Sequence, residues 1–528
     1  MDNIELILAL LVIACVLALS ARGLHIPYPI LLVLGGLVLA LLPVFPDVEL
    51  APELVFLLFL PPLLYIAGFD TSYREVRAQL PAIVSLAFGL VLATIVAVAW
   101  VTHILAPELG WPLAFALGAI VSPPDAVAAT ALLRGLGVPR RVVTLLEGES
   151  LFNDATALVA YETALAAAAS EFSPVEAGVH FVVAGVGGIL IGLVVGWLVT
   201  HLRFRLSDPA VEITIGLLTP WAAYLPAEHL DVSGVLAVVT AGLCVGWAAP
   251  RIMDSETRLR SRAVWDMVVF ILNSLVFILI GMQLSTILRA LSEVSLKELI
   301  VFAALISLVV IVVRLIWVFA DRAVRRWFER AIHREESTTG DLRQTFVVGW
   351  AGMRGVVTLA TALALPFTLP GRNPAVFVTF GVILVTLVGQ GMTLPPLIRR
   401  LGVTDTGAQV GNPHELLART TAAEAAIDRL GELAEQWPSY RSLIDALRAQ
   451  YEHRASHLSE VAASRDATSD GEISTAEQEL IDHQTIRHAV ITAERAAVLH
   501  LRNQGAIDDA AWLKIQRELD LEELRMLG

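Results

Sequence analysis

The amino-acid sequence predicts an all-α polytopic membrane protein: about 13 transmembrane helices in two inverted six-helix repeats with discontinuous crossing helices, plus a soluble helical C-terminal domain. Three observations lead to this fold class. Hydrophobic residues make up 56% of the 528 residues and charged residues only 17%, with a mean hydropathy of +0.70, far above the range of soluble globular proteins. Two apolar stretches are interrupted beside a charged residue, and residues 401–528 are polar.

The apolar stretches have the length of membrane spans. A hydrocarbon core about 30 Å thick requires about 20 apolar residues in a helix. This length predicts thirteen spans, near residues 4–20, 27–45, 52–68, 80–105, 111–135, 142–169, 177–201, 210–227, 232–249, 262–285, 297–320, 343–369 and 373–398. The first stretch begins with acidic residues where a secretory signal would carry basic ones, so it is interpreted as a retained span.

Arginine is distributed unequally between the loops on the two sides. One set of loops carries most of it, including the run DRAVRRWFERAIHREE at 321–336, while the other set holds PDVELAPE, SEFSPVEAG and PAEHLD. The positive-inside rule therefore predicts a cytoplasmic C-terminus and an N-terminus outside the cell's inner (cytoplasmic) membrane.

The composition changes after Arg400, which predicts a transmembrane domain of residues 1–400 and a cytoplasmic tail of residues 401–528. The tail carries 22 acidic and 12 basic side chains. Stretches such as HELLARTTAAEAAIDRLGEL repeat apolar residues at helical spacing. We expect packed helices there, with a regulatory role as the alternative to a solvated appendage.

Spans five and twelve are predicted to be broken helices in equivalent positions. Span five contains SPPD, from Ser122 to Asp125, and two adjacent prolines disfavour a continuous helix. In span twelve, Gly349, Gly352 and Gly355 surround Arg354. Irregular backbone at this depth is tolerated only inside protein or along a wet cavity. If spans 1–6 and 8–13 are inverted repeats, the pattern is that of a secondary transporter with a binding site at the membrane midplane.

Ionisable side chains within the spans are the candidate functional residues, since each costs about 2.5–3.5 kcal/mol to insert. The set comprises Asp125, Glu149, Asp154, Arg314 and Arg354, with Asp266 and the neutral Asn273 of span ten as weaker candidates. On span six, Ser150 and Asp154 share one helix face, and Glu149 shares an adjacent face with Asn153.

The chemistry of these groups favours a hard cation. Carboxylate, hydroxyl and freed carbonyl oxygens suit such an ion, and Cys15 and Cys244 lie in apolar runs, which excludes a thiolate site. Burial disfavours a charged carboxylate, so a proton competes with the cation for Asp154. A second buried carboxylate at Glu149 requires an arginine, and Arg314 and Arg354 are both available.

Several segments carry a family resemblance. SPPDAVAATALL, GESLFNDATALV and GWAGMRGVVTLATALALP resemble three signature segments of the sodium/proton exchangers of the cation:proton antiporter-1 family, in its bacterial branch. FLPPLLYIAGF at 59–69 and ILNSLVFILIGMQL at 271–284 are similar to two further family segments.

The resemblance implies a role for each candidate. Asp154 would be the essential carboxylate that binds Na⁺ or a proton, and Asn153 and Asp125 would hold the crossing together. Ser150 and the backbone at Ser122 to Asp125 would complete the cation site. Glu149 would pair with Arg314, and Arg354 would offset the helix-end dipoles at the second break. The family's fold implies a homodimer in which core spans 4–6 and 11–13 move against scaffold spans 1–3 and 7–10.

The predicted function is exchange of Na⁺ or Li⁺ for H⁺ by alternating access, with no enzyme activity. Because Asn153 cannot titrate, Asp154 is the single free carboxylate, which predicts electroneutral one-to-one exchange. We expect no cofactor and no nucleic acid, and the expected partners are the two ions, membrane lipids and a second copy. Potassium/proton exchange remains open. A channel and an intramembrane aspartyl protease built on Asp125 and Asp154 are weaker alternatives.

Overall fold

A computed structural model of the chain describes residues 3–24, 26–42, 51–125, 128–130, 133, 136–169, 174–206, 208–289, 291, 295–331, 341–403, 413–467, 490–501, 504, 515, 516, 519 and 522. The chain forms two compact units, Met1–Thr404 and Asp405–Gly528. Within the described ranges the regular structure is helical, with no strand. The prediction of an all-α polytopic membrane protein is therefore confirmed.

Seven helices or helix groups are described completely in the first half of the larger unit. They are α1 (Asn3–Leu24), α2 (Tyr28–Ala40), α3 (Pro52–Leu54, a π-helical turn Val55–Phe59 and Leu60–Asp70), α4 (Tyr73–Val84, a π-helical turn Ser85–Leu90 and Val91–Leu105), α5 (Gly110–Val121), α6 (Arg140–Ala169) and α7 (Pro174–Arg203).

The second half of this unit continues in the same manner. Its helices are α8 (Pro209–His229), α9 (Gly234–Ile252), α10 (Ser255–Arg289), α11 (Leu296–Ala331), α12 (Leu342–Trp350), α13 (Val356–Leu363) and α14 (Arg372–Ile383, a π-helical turn Leu384–Gln390 and Gly391–Leu401).

Each predicted span coincides with one of these helices, and the twelfth coincides with the pair α12 and α13. Of the second half of span five, residues 126–135, only 128–130 and 133 are among the described residues. Seven described helices are long and apolar enough to cross a membrane by length and composition: α3, α4, α7, α9, α10, α11 and α14. Helix α6 is not among them; it carries Glu147, Glu149, Asp154 and Glu162. The number of crossings therefore stays a prediction.

Two apolar clusters organise the helices of the larger unit. One cluster joins buried residues of α1, α2, α4, α5, α6 and α10 to those of α11 to α14. The other packs α3 and α6 against α8, α9 and Trp265 of α10. Where α2 crosses α10, a Cβ at Gly36 would lie 2.2 Å from the carbonyl oxygen of Ile278, so only glycine allows this approach.

Two interruptions lie in this packed interior. Helix α5 ends at Val121, and Ser122–Asp125 are non-helical, as the missing N–H groups of two prolines dictate. Helix α12 ends at Trp350, and residues 351–355 are non-helical before α13 begins. Both predicted breaks are therefore present.

The smaller unit contains two described long helices, α15 (Pro413–Gln436) and α16 (Arg441–Ala467), which pack against each other. Residues 490–501 are also helical. The regulatory role of this region stays a prediction.

Candidate cation site

The two interrupted segments meet each other. The backbone amide of Asp125 donates a 2.7 Å hydrogen bond to the carbonyl oxygen of Met353. In return, the Asp125 carboxylate accepts a 3.4 Å hydrogen bond from the amide of Val356, the first residue of α13. A carboxylate at a helix N-terminus satisfies an otherwise unpaired donor and complements the helix dipole. Asp125 thus bonds the first break to the second, in the crossing position that the resemblance implies.

Helix α6 supports this crossing through the carbonyl oxygen of Pro124. The Asn153 side-chain nitrogen donates to this oxygen over 3.1 Å, and the Ser150 hydroxyl donates to it over 3.4 Å. The interruption at the prolines leaves this carbonyl outside the helix. Asn153 is fully buried, and its side-chain oxygen has no hydrogen-bond partner in the described part of the chain. Asn153 therefore acts here as a neutral donor.

Asp154 lies beside this contact, on the wall of a cavity of about 260 Å³. Its side chain is 5% exposed. Many of the polar residues that line the cavity carry side-chain oxygen atoms: Tyr28, Asp125, Thr130, Ser150, Asp154, Asn273 and Thr358. Carboxylate, hydroxyl and amide oxygens are ligands for hard cations. The cavity can therefore accept a small alkali cation or, at Asp154, a proton.

The mouth of the cavity carries further charge. Its walls extend to Asp70 at the end of α3, Glu147 near the start of α6, and Arg262 and Asp266 near the start of α10. The Arg262 guanidinium lies 3.7 Å from the Asp70 carboxylate. The sequence pattern predicts Asp266 as a weaker candidate, and it does not predict that Asp70, Glu147 and Arg262 line the same cavity.

The side chain of Ser122 bonds to the end of its own helix, and the predicted role of its backbone stays a prediction. Its hydroxyl donates to the carbonyl oxygen of Ala119 over 3.0 Å, in the last turn of α5, and its side chain is 1% exposed. Ser122 is not among the residues that line the cavity, whereas Pro123, Pro124 and Asp125 are. This contact could not be predicted from the residues alone, since a serine in the last turn of a helix bonds backward or forward with similar ease.

Glu149 and Arg314 form a buried bidentate ion pair. The two guanidinium nitrogens lie 2.5 and 2.8 Å from the carboxylate oxygens, and both side chains are 1% exposed. Arg314 also donates to the carbonyl oxygen of Val348 on α12, over 3.3 and 3.2 Å. Neither residue lines the cation cavity. The pair links α6, α11 and α12 away from the cavity.

Arg354 reaches from the second break to the end of α5. Its guanidinium donates to the carbonyl oxygens of Val121 and Ser122, over 3.0 and 3.2 Å, and to the carbonyl oxygen of Gly352. The guanidinium thus meets carbonyl oxygens at the C-terminus of α5, in the first break, and at Gly352, in the second. A cation at these positions offsets the partial negative charge of a helix end, and the predicted role of Arg354 at the second break stays a prediction.

This arrangement of crossed interruptions around a carboxylate-lined cavity can be compared with known proteins. The family model for the transmembrane sodium/hydrogen exchanger matches residues 7–400. The chain belongs to this sodium/hydrogen exchanger family. The match begins within α1 and ends at Arg400 near the end of α14, and it confirms the family resemblance found in the sequence segments.

Individual relatives of this exchanger support the assignment. An uncharacterised Na⁺/H⁺ exchanger of Mycobacterium tuberculosis is 38% identical over 94% of this chain and 92% of its own. The Na⁺/H⁺ antiporter ApNhaP of Aphanothece halophytica is 34% identical over 86% of each chain. The solved sodium proton antiporter MjNhaP1 from Methanocaldococcus jannaschii, at pH 8, superposes with a TM-score of 0.60 at 20% identity, over 75% of this chain and 98% of that one. The exchanger therefore has the antiporter fold.

Proposed function

We propose that this protein exchanges Na⁺ or Li⁺ for H⁺, and that Asp154 binds either the cation or the proton. The observation that carries the proposal is the position of Asp154, on the wall of an oxygen-lined cavity next to the crossing of the two interruptions. Several relatives are named Na⁺/H⁺ exchangers or antiporters, so the potassium/proton alternative is not favoured. The family is one of transporters rather than enzymes.

Competition for one carboxylate explains why the two fluxes are coupled. A protonated Asp154 has no charge with which to hold a cation, and a cation on the carboxylate excludes the proton. Asp125 is engaged at the N-terminus of α13, and Glu149 is engaged by Arg314. Asn153 does not titrate. One cation or one proton per cycle follows, so exchange is electroneutral.

The access route follows from the predicted orientation. The end of α3 and the starts of α6 and α10 form the cavity mouth, and the positive-inside rule assigns these helix ends to the cytoplasm. In this conformation the site therefore faces the cytoplasm. Alternating access then requires α4–α6 and α11–α14 to move against the remaining helices until Asp154 faces the outside. The membrane in which this takes place is the cell's inner membrane. Ser122 would take part only through its backbone.

A second copy of the chain is the proposed partner within the membrane. Helix α7 supports this proposal, because along its membrane-spanning part large apolar side chains such as Val182, Ile189, Val194 and Trp197 are exposed. Light scattering on the purified protein, corrected for detergent, checks the dimer. The tail is proposed to be regulatory, and its removal after Arg400 should change the pH dependence of exchange without abolishing it.

The transport proposal is tested in liposomes that contain the purified protein and a pH-sensitive dye. A preset pH gradient should dissipate on addition of Na⁺ or Li⁺, and much less on addition of K⁺. Asp154→Asn protein supplies the control for leak. A gradient that K⁺ dissipates as well as Na⁺ would favour the potassium/proton alternative, and one that no cation dissipates would overturn the proposal.

A further inference from the structure

One peptide unit in the second break is held at both of its polar groups. This unit joins Met353 to Arg354, and both residues are buried. Its carbonyl group accepts the 2.7 Å hydrogen bond from the amide of Asp125 that joins the two breaks. Its N–H group donates a 3.1 Å hydrogen bond to the Thr386 hydroxyl of α14. Because the two groups of a trans peptide unit point in opposite directions, this unit connects the first break to α14.

The Thr386 hydroxyl is an available acceptor because its own hydrogen is engaged elsewhere. It bonds backward along α14 to the carbonyl oxygens of Val382 and Ile383, over 2.8 and 3.4 Å. A hydroxyl has one hydrogen and two lone pairs, so its oxygen still presents lone pairs to the break. Thr386 is 0% exposed, and water therefore does not take its place as the acceptor.

The Arg354 amide depends on an acceptor outside its own segment. Residues 351–355 are non-helical, so the carbonyl oxygen four residues earlier, which would accept in a helix, is not in position. A buried N–H group without a partner is costly. The same residue carries the guanidinium that donates to the carbonyl oxygens of Val121 and Ser122 at the end of α5. Fixing the amide of Arg354 therefore also fixes the base of this side chain.

The backbone of α14 is adapted to this contact. Thr386 lies in the π-helical turn Leu384–Gln390, and such turns occur frequently at functional sites. Directly after the turn, a Cβ at Gly391 would lie 3.3 Å from the sulfur of Met353, so a glycine here lets α14 approach the break closely. The π-helical turn and the glycine thus lie on the part of α14 that meets the Met353–Arg354 peptide unit.

We infer that Thr386 is a positioning residue for cation exchange. Its hydroxyl orients the Met353–Arg354 peptide unit, and this unit in turn holds the amide of Asp125. Thr386 does not itself line the cation cavity. The inference rests on the proposed exchange at Asp154. Helix α14 and both breaks belong to the proposed moving core, so the contact is expected to stay intact while the core moves.

Thr386→Val tests this role in liposomes, because valine keeps the shape of threonine but offers no acceptor to Arg354. The Na⁺ concentration for half-maximal exchange should rise about tenfold, since Asp125 is no longer held in place. Thr386→Ser keeps the hydroxyl and should retain the wild-type value. Thr379→Val is the matched control: Thr379 is 0% exposed on the same helix, and in the described part of the chain its hydroxyl bonds only to the carbonyl oxygen of Ala375, over 2.8 Å.

Hydrogen–deuterium exchange on the full-length protein in detergent gives a readout that does not depend on transport. Peptides that contain residues 351–357 should take up deuterium faster in Thr386→Val than in the wild type, because the Arg354 amide has lost its acceptor. Thr386→Ser and Thr379→Val should behave like the wild type. If the wild type exchanges no cation, the proposed function fails, whereas this comparison still decides whether Thr386 holds the break.

Two results would overturn the inference. One is a half-maximal Na⁺ concentration that is the same in Thr386→Val and Thr379→Val, even if Thr386→Val unfolds at a lower temperature, since a loss of stability alone identifies a packing role. The other is unchanged deuterium uptake at residues 351–357. If Thr386→Val does not fold, Thr386→Ala, which also lacks the hydroxyl, takes its place in both measurements.

Discussion

The backbone amide of Asp125 is hydrogen-bonded to the carbonyl oxygen of Met353, so the two interrupted segments are joined through their main chains. Side chains then fix this junction from three directions. The Asn153 side chain on α6 donates to the carbonyl oxygen of Pro124. The Arg354 guanidinium donates to the carbonyl oxygen of Val121 at the end of α5. The Asp125 carboxylate accepts from the amide of Val356 at the start of α13. The geometry of the cation site therefore depends on the exact fit of the two breaks.

Gly355→Ala should disrupt this fit. A Cβ at residue 355 would lie 1.8 Å from the carboxylate oxygen of Asp125 and 2.8 Å from its Cγ, so the carboxylate must leave the start of α13. We expect exchange in liposomes to fall by about tenfold or more. Gly389→Ala is the matched control, since a Cβ there meets nothing within 4 Å. Equal activity of the two variants would show that the position of Asp125 does not matter for transport.

Asp154→Asn should abolish exchange while the protein still inserts and folds, because an amide can neither release a proton nor hold a cation by charge. Asp266→Asn provides the comparison: Asp266 lines the same cavity but is exposed near its mouth. We expect this variant to retain exchange with a weaker apparent affinity for Na⁺. Sodium-dependent proton movement in liposomes measures both. Substantial transport by Asp154→Asn would remove Asp154 from the binding role.

The apparent affinity for Na⁺ should depend on pH. Since protons and cations compete for Asp154, lowering the pH increases the protonated fraction and raises the Na⁺ concentration needed for half-maximal exchange. The increase approaches about tenfold per pH unit once the protonated form dominates. Initial rates measured over a range of Na⁺ concentrations at several pH values give this dependence. A half-maximal concentration that is independent of pH would mean that the two ions bind at separate groups.

Glu149→Gln should destabilise the protein more than it changes ion selectivity. Removing one partner of a buried pair leaves the Arg314 charge uncompensated, at a cost of about 3–5 kcal/mol in the free energy of unfolding. The control is Arg140→Gln, which breaks the 2.9 Å pair with Glu75 at the surface and should cost less than about 1 kcal/mol. Thermal unfolding in detergent compares them.

The exchanged double variant Glu149→Arg/Arg314→Glu should recover part of this loss, because opposite charges again face each other. A stable Glu149→Gln protein that carries a different cation would instead identify Glu149 as a cation ligand.

Exchange should not respond to membrane potential. With Asp154 as the single titrating carboxylate, the moving core carries the same charge in both directions. A potential would otherwise contribute about 2.3 kcal/mol per elementary charge for each 100 mV. Initial rates in liposomes, with and without a potential clamped by valinomycin at fixed pH gradient, test this. A rate that shifts with the potential would indicate that Asp125 also titrates during the cycle.

The two breaks could be predicted from the sequence because their causes are local. The adjacent prolines at 123 and 124 lack N–H groups, and glycines surround Arg354. Both effects on the helix are independent of the tertiary fold. The carboxylates of the site could be predicted for a similar reason, since charge inside an apolar helix is conspicuous.

Other features depend on packing between distant segments. From the sequence alone, Arg314 and Arg354 are equal candidates to pair with Glu149. Only the tertiary fold brings Arg314 to the Glu149 carboxylate. The contact of Arg354 with the end of α5 joins residues 233 positions apart. Thr130 and Thr358 line the cavity, although nothing in the sequence around them distinguishes them from other threonines in a helix.

The link between Glu149 and Arg314 spans 165 positions in sequence, and this separation has a consequence for biosynthesis. During synthesis α6 emerges from the ribosome long before α11, so Glu149 enters the translocon without its partner. Glu149 lies in the first third of α6, and a lone acidic side chain in an inserting helix costs up to about 2.5–3.5 kcal/mol, the value at the helix centre. In nascent chains that end before residue 314, the insertion of α6 into the bilayer should therefore be less stable. Membrane chaperones or proteases should recognise such chains until α11 has been synthesised.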